Sequence, residues 1–178
     1  MKNSFKTLLW QIEDERVKRL TKKAWPRIPA YDQAVLRGLI FAISDYVGED
    51  NILGSAGPVD PTSVDNGCAG DVALNLDYYV NLGGVRKTRS DKAGMAVIAH
   101  EFAHVVLRHN QLGAVISGLR GLSIYSESDI ETFDQYDEET ADLLIWTWGF
   151  QDELRAYFDE FPNSFKPRWF VEIHTKEE

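Results

Sequence analysis

The sequence predicts a small α+β domain in which helices outnumber strands. Three observations carry this prediction: apolar residues recur at helical spacing in the N-terminal region, residues 72–82 partly alternate as a strand does, and two further helical segments follow. With 178 residues the chain fits a single domain, which we assign to 1–178. Within it we distinguish a helical N-terminal region at 1–47 and a core region at 72–158.

The N-terminal region contains two predicted helices followed by a loop. The first is amphipathic and runs from Phe5 to about Trp25, where two prolines disfavour its continuation. The second starts at Asp32, a candidate N-cap, and continues to about Tyr46. The segment Gly48–Gly70 is rich in Gly, Pro, Asp, Asn and Ser, which predicts a long surface loop.

The core region begins with a strand at Val72–Leu82. Ser90 or Asp91 caps the next predicted helix, which reaches about His109. A long, mostly apolar helix is predicted from Glu138 to about Phe158.

Two remaining segments have mixed patterns. Residues 125–137 are polar and acidic, so we assign them as a loop or as the start of the long helix. In the tail, Pro162 and Pro167 precede an apolar run at 169–173, which we assign as a short strand or an irregular arm.

Charge and apolar patterning exclude several classes of function. The formal net charge of −9 argues against a nucleic-acid-binding surface, because phosphate contacts need a basic patch. No apolar stretch approaches the roughly 18 residues of a membrane-spanning helix, and charged residues interrupt the N-terminal apolar segment before it resembles a secretory signal. Cys68 is the only cysteine, so no intramolecular disulfide forms. We therefore expect a cytoplasmic protein without a nucleic-acid or membrane partner.

The sequence His100-Glu101-Phe102-Ala103-His104 is the strongest candidate for chemistry. His100 and His104 are four residues apart, so they lie on one face of a helix and can bind one Zn²⁺ together. Glu101 is then placed beside the metal, where a carboxylate can take a proton from water activated by zinc. The neighbouring residues are apolar, and His and Glu are rarely buried unless they are paired or bind metal.

A catalytic zinc needs a third protein ligand and an open position. Glu138 is the best candidate, with Glu139 as the alternative. Asp142 is four residues after Glu138, where it can accept a hydrogen bond from a ligand histidine. His109 lies about 140° around the helix from His104, so we expect a structural role for it rather than ligation.

Three further side chains are candidates for stabilising an oxyanion: Tyr136, Arg155 and Tyr157. The spacing does not select among them.

The paired motif His100-Glu101-x-x-His104 and Glu138-x-x-Ala141-Asp142 resembles the HExxH…ExxAD signature of gluzincin-type zinc metallopeptidases. These include the HtpX-like and CAAX-prenyl-protease-like enzymes and their soluble relatives, the minigluzincins. The ImmA/IrrE family of regulators has a similar arrangement. The resemblance covers roughly residues 72–158, and it implies a zincin-like fold with a small sheet packed on the HExxH helix and a glutamate helix.

The resemblance also implies a function. His100, His104 and Glu138 would bind Zn²⁺, and Glu101 would be the general base of an endopeptidase that acts on peptides or proteins. Residues 72–158 would be its catalytic core, and Val72–Leu82 would be the edge strand that holds an extended substrate. The alternative is an ImmA/IrrE-like regulator that cleaves or binds one partner, such as a repressor.

Overall fold

The computed structural model describes residues 4–47, 55–58, 78–109 and 127–175. These residues form an α+β fold that is mostly helical. Its seven α-helices and three strands, in chain order, are α1 Phe5–Leu9, α2 Glu15–Ala24, α3 Ala30–Leu39, β1 Ile40–Ser44, β2 Ser55–Pro58, β3 Tyr78–Asn81, α4 Asp91–Leu107, α5 Glu127–Thr147, α6 Gln151–Glu160 and α7 Arg168–Thr175. Short 3₁₀ turns follow α2 and β3.

The N-terminal segment is two helices rather than the single one predicted. The helix α1 ends after Leu9, and α2 begins again at Glu15. The Asp14 side chain accepts hydrogen bonds from the backbone N–H groups of Arg16 and Val17, so it is a true N-cap. A side chain that satisfies the first free N–H groups of a helix starts a new helix, which explains the break.

The second predicted helix was wrong at both ends. Helix α3 starts at Ala30, so Asp32 lies inside its first turn and accepts a hydrogen bond from the Trp148 indole at 2.9 Å. The helix ends at Leu39, and Ile40–Ser44 continue as strand β1. This run of β-branched and aromatic residues fits a strand once a neighbour is available to pair with it.

Strand β3 is the centre of the sheet, whose order is β1-β3-β2. It pairs in parallel with β1 and antiparallel with β2. The prediction of a surface loop at Gly48–Gly70 is therefore wrong at residues 55–58, which form β2. The other residues of this segment lie outside the described part of the chain. Of the predicted strand Val72–Leu82, residues 78–81 are a strand and 72–77 lie outside the described part. The expectation that it is an edge strand was wrong for Tyr78–Asn81.

Helix α4 is the centre of the helical layer and packs against α2, α5 and α6. Ser90, one of the two predicted candidates, is its N-cap and accepts a hydrogen bond from the Ala93 N–H, whereas Asp91 is the first helical residue. The approach of α2 is close at Gly94, where a Cβ atom would lie 2.8 Å from a Leu20 methyl group. Glycine at this position therefore permits the packing of α2 on α4.

The predicted long helix Glu138–Phe158 is divided into two. Helix α5 starts at Glu127 and ends at Thr147, so residues 127–137 are the start of a helix, the second of the two alternatives predicted for 125–137. Gly149 follows with φ of 88°, a left-handed conformation that ends helices, and α6 then begins at Gln151. The tail was also predicted wrongly, because Arg168–Thr175 form helix α7 instead of a strand or an arm.

A continuous cluster of buried apolar side chains joins these elements, from Leu8 in α1 to Phe170 in α7. Phe102 of α4 is fully buried within it and meets the Trp25 ring edge-on at 5.9 Å. The residues of the His100–His104 motif thus lie on a helix that contributes several side chains to this cluster. In the described part of the chain, no helix is long and apolar enough to cross a membrane.

Candidate metal centre

Three side chains from two helices converge on one point. His100 and His104 lie one turn apart on α4, and Glu138 approaches them from α5. Their potential ligand atoms all lie within 4.8 Å of one another. The two histidine Nε2 atoms are 2.9 Å apart, and the Glu138 carboxylate oxygens lie 3.0 Å from that of His100 and 3.5 Å from that of His104.

The three side chains form a group that could hold a metal ion. Ligand atoms that bind tetrahedral zinc at about 2.0–2.1 Å lie about 3.3 Å from one another. The three observed separations are 2.9, 3.0 and 3.5 Å, so two are shorter than that value and one is longer. Two imidazoles and one carboxylate are also the donor set of many catalytic zinc sites. Among the described residues, no fourth His, Cys, Asp or Glu joins the group.

The orientation of His100 is set from the side opposite the cluster. Its Nδ1 lies 2.8 Å from the carboxylate of Asp142, which is buried on α5. A carboxylate only accepts, so Nδ1 carries a proton and Nε2 faces Glu138. Burial by itself lowers the pKa of His100, but hydrogen bonds to Asp142 and Glu138 raise that pKa well above its usual value.

His104 has a different partner. Its Nδ1 lies 2.9 Å from Nδ1 of His109, and both rings are buried. The other nitrogen of His109, Nε2, lies 3.2 Å from the Thr140 hydroxyl of α5. Burial lowers the pKa of His109, and burial together with the charge on His100 lowers the pKa of His104 to about 3.

His109 reaches this position because α4 ends before it. Arg108 adopts a left-handed conformation, with φ of 57°, and the His109 N–H bonds back to the carbonyl of His104. The carbonyl of His109 also accepts a hydrogen bond from the Tyr78 hydroxyl of β3 at 2.9 Å. The predicted angle of about 140° assumed that α4 continues through His109, whereas the helix ends at Leu107. His109 nevertheless lies outside the group of converging ligand atoms, in agreement with the prediction that it is not a ligand.

The acidic residues of the centre have opposite environments. Glu101 is buried, and burial raises its pKa to about 8, with His100 and Glu138 close enough for their charges to act on it. Glu138 is half-exposed; partial burial opposes its ionisation, but the hydrogen bond and positive charge of His100 lower its pKa to about 2. Glu138 is therefore a permanent anion in the cluster at neutral pH.

The other predicted site residues differ in their surroundings. Glu139, the alternative third ligand, is not in the converging group. Arg155 lies over the Trp146 ring, and Tyr136 is 64% exposed. The environment of Tyr157 includes charges of the centre: burial and the charges of Asp142 and Glu138 raise the pKa of Tyr157 to about 12. It is thus a neutral phenol that can donate a hydrogen bond.

Sequence reasoning missed Thr140 and the ring contact of His109. Thr140 lies two residues after Glu138 within a helix, and a threonine there has no pattern that would indicate a contact with the end of α4. The residue spacing also could not show that the chain turns back at Arg108.

Comparison of the chain with protein-family models, curated proteins and solved structures yields no match. The resemblance to gluzincins therefore rests on the motif residues of the sequence alone.

Proposed function

We propose that this protein is a zinc-dependent peptidase of the gluzincin type, with a zincin-like arrangement of its helices and sheet. The observation that carries the proposal is the convergence of His100, His104 and Glu138 at near-tetrahedral spacing beside a buried glutamate. Within the described residues the group has three members, which favours a centre with one position open to substrate and water.

Each side chain has a role in the proposed reaction. His100, His104 and Glu138 would hold zinc, and zinc bound there would supply Lewis acidity for the hydrolysis. In its ionised form, which the charge of a bound cation would favour, Glu101 would accept the proton of the attacking water as the water oxygen attacks the carbonyl carbon. Glu101 then delivers the proton to the leaving amine as the C–N bond breaks. Tyr157 is our candidate for donating a hydrogen bond to the developing oxyanion.

Metal binding and catalysis are tested separately. We expect wild-type protein to retain one zinc ion per chain, measured by elemental analysis after dialysis. Glu138→Ala should lose zinc, whereas Glu139→Ala, a change of the neighbouring glutamate, should retain it. Loss of zinc in Glu139→Ala but not in Glu138→Ala would show that Glu139 is the third ligand and would contradict the assignment of Glu138.

Activity is tested on an unstructured protein substrate. Zinc-loaded wild type should cleave it, and a chelator should abolish cleavage. Glu101→Gln should reduce the rate by at least about 100-fold while retaining zinc, because the amide cannot accept the proton. A zinc-loaded wild type that cleaves nothing in broad peptide libraries would contradict a general peptidase. A stable complex with one partner protein, unaffected by Glu101→Gln, would instead favour the ImmA/IrrE-like alternative.

A further inference from the structure

The two histidines of the centre are oriented by chemically different partners. His100 meets the carboxylate of Asp142, whereas His104 meets the imidazole of His109. A carboxylate partner can only accept a hydrogen bond, so the tautomer of His100 follows directly. An imidazole can donate or accept, so the tautomer of His104 depends on what holds the far side of the His109 ring.

Thr140 decides the direction of these hydrogen bonds. Its hydroxyl has one proton, and its shortest contact, 2.8 Å, is with the carbonyl oxygen of Tyr136, which can only accept. The Thr140 oxygen is then left to accept from Nε2 of His109 at 3.2 Å. A neutral His109 with its proton on Nε2 has a lone pair on Nδ1.

The remaining step concerns His104. The lone pair on Nδ1 of His109 accepts a hydrogen bond from Nδ1 of His104 at 2.9 Å. Once Nδ1 of His104 carries the proton, its Nε2 has a lone pair, and that atom faces His100 and Glu138. If Nδ1 of His109 donated to Nδ1 of His104 instead, the proton of neutral His104 would be on Nε2, where it would block metal binding.

We propose that His109, held by Thr140, is a positioning residue that keeps His104 in the tautomer required for metal binding. The proposal rests on the proposed zinc site and adds to it the residues that orient one ligand. His109 is suited to this role because it is anchored on both sides. Tyr78 of β3 holds its backbone carbonyl, and α5 holds its ring through Thr140. The sheet and the glutamate helix thus both act on His104 through one side chain.

The first test measures tautomers without any metal. Two-bond proton–nitrogen NMR correlations on protein with isotope-labelled histidine, treated with a chelator, report which ring nitrogen carries the proton. The chain has four histidines, so single substitutions assign every signal. We expect the proton on Nδ1 of His104 and on Nε2 of His109. A proton on Nε2 of His104 would overturn the proposal, whether or not the protein binds zinc.

The second test measures zinc affinity by competition with a chromophoric chelator. His109→Leu removes the acceptor and should weaken zinc binding by about 10–100-fold, the usual effect of losing a ligand's partner. His109→Asn places an amide oxygen where Nδ1 was and should restore most of the affinity. Thr140→Val should weaken binding, whereas Thr140→Ser, which keeps the hydroxyl, should not.

These variants separate positioning from general stability. A purely structural role would lower the melting temperature of His109→Leu and leave the zinc affinity of the folded fraction within about threefold of wild type, which would overturn the proposal. Thr140→Val provides the same comparison if His109→Leu does not fold. Absence of zinc binding in wild type would refute the proposed function, while the tautomers would still decide the orientation of His104.

Discussion

The two ends of helix α4 both contain clustered polar side chains, but the clusters are built differently. At the N-terminal end, the Arg16 guanidinium donates to the carbonyl oxygens of Val85, Thr88 and Ser90 at 2.7–3.0 Å. Glu160 accepts hydrogen bonds there from the backbone N–H groups of residues 89 and 90. Donors are matched with acceptors throughout, so this cluster needs nothing from outside.

At the C-terminal half, ionisable side chains converge instead. The Nε2 atoms of His100 and His104 and the carboxylate of Glu138 meet at one point, while Nδ1 of His100 faces Asp142 and Nδ1 of His104 faces His109. The positive charge of His100 stabilises the Glu138 anion, and a bound cation would replace the proton of His100 in that role. The comparison distinguishes two kinds of cluster. The structural one pairs a side chain with backbone groups, and the candidate binding one directs three ligand atoms at a shared point.

The largest expected effect concerns Arg16. Arg16→Met removes three hydrogen bonds that backbone carbonyl groups accept, and each is worth roughly 1 kcal/mol, so we expect a loss of about 3 kcal/mol in the free energy of unfolding. Urea denaturation measures this. Zinc affinity of the folded protein should stay within about threefold of wild type, because the other end of α4 is packed independently.

Lys18→Met is the matched control for Arg16→Met. Lys18 lies on the same helix and pairs with the exposed Glu15, so its loss should leave the free energy of unfolding close to that of wild type. A tenfold loss of zinc affinity in folded Arg16→Met would break the comparison, since the two ends of α4 would then be coupled.

A smaller effect is expected at Asp91 in the first turn of α4. Hydrogen bonds from Arg19 and Arg16 lower the pKa of Asp91 to about 2, below the usual value of about 3.9. A depressed pKa stabilises the fold above about pH 4, and the contribution is lost as the pH falls towards 2. Asp91 is 41% exposed, so Asp91→Asn should cost only about 1 kcal/mol at pH 7.

Thermal or urea denaturation from pH 7 to pH 2 measures the Asp91 contribution. The difference between Asp91→Asn and wild type should shrink below about pH 4 and should also decrease in concentrated salt. In an Arg19→Met background the same substitution should have a smaller effect. A difference that is constant across this pH range would show that the ion pairs do not stabilise α4.

The smallest effect is expected at Arg108, at the other end of the helix. The left-handed conformation costs a non-glycine residue about 1 kcal/mol or more, and glycine adopts it freely. Because glycine also increases the entropy of the unfolded chain, Arg108→Gly should raise stability by only about 0.5 kcal/mol. Zinc affinity should not change, since His109 keeps its position.

Arg108→Val is the counterpart that should lower stability, because a β-branched residue tolerates this conformation poorly. If it has no effect on stability or on zinc affinity, the turn at Arg108 does not hold His109 against His104. Both variants need only urea denaturation and the competition assay.

Several features of the fold were predictable from short segments. Polar residues at 90 and 91 before an apolar helical run indicated the start of α4, and the structure selected Ser90 as the N-cap. The α+β composition was also correct. In contrast, the segment Ile40–Ser44 has apolar residues at spacings that suit a helix as well as a strand. Its pairing with β3, almost 40 residues away in sequence, decided between them.

The sequence by itself determined which groups share a helical face. The spacing of His100 and His104, and that of Glu138 and Asp142, depends only on the helical period, so it could be deduced locally. Only the tertiary structure decided that α5 brings Glu138, rather than Glu139, to the histidines, and that Thr140 and Tyr78 hold His109 behind His104. These contacts join elements distant in sequence, and their geometry depends on how whole helices and strands pack together.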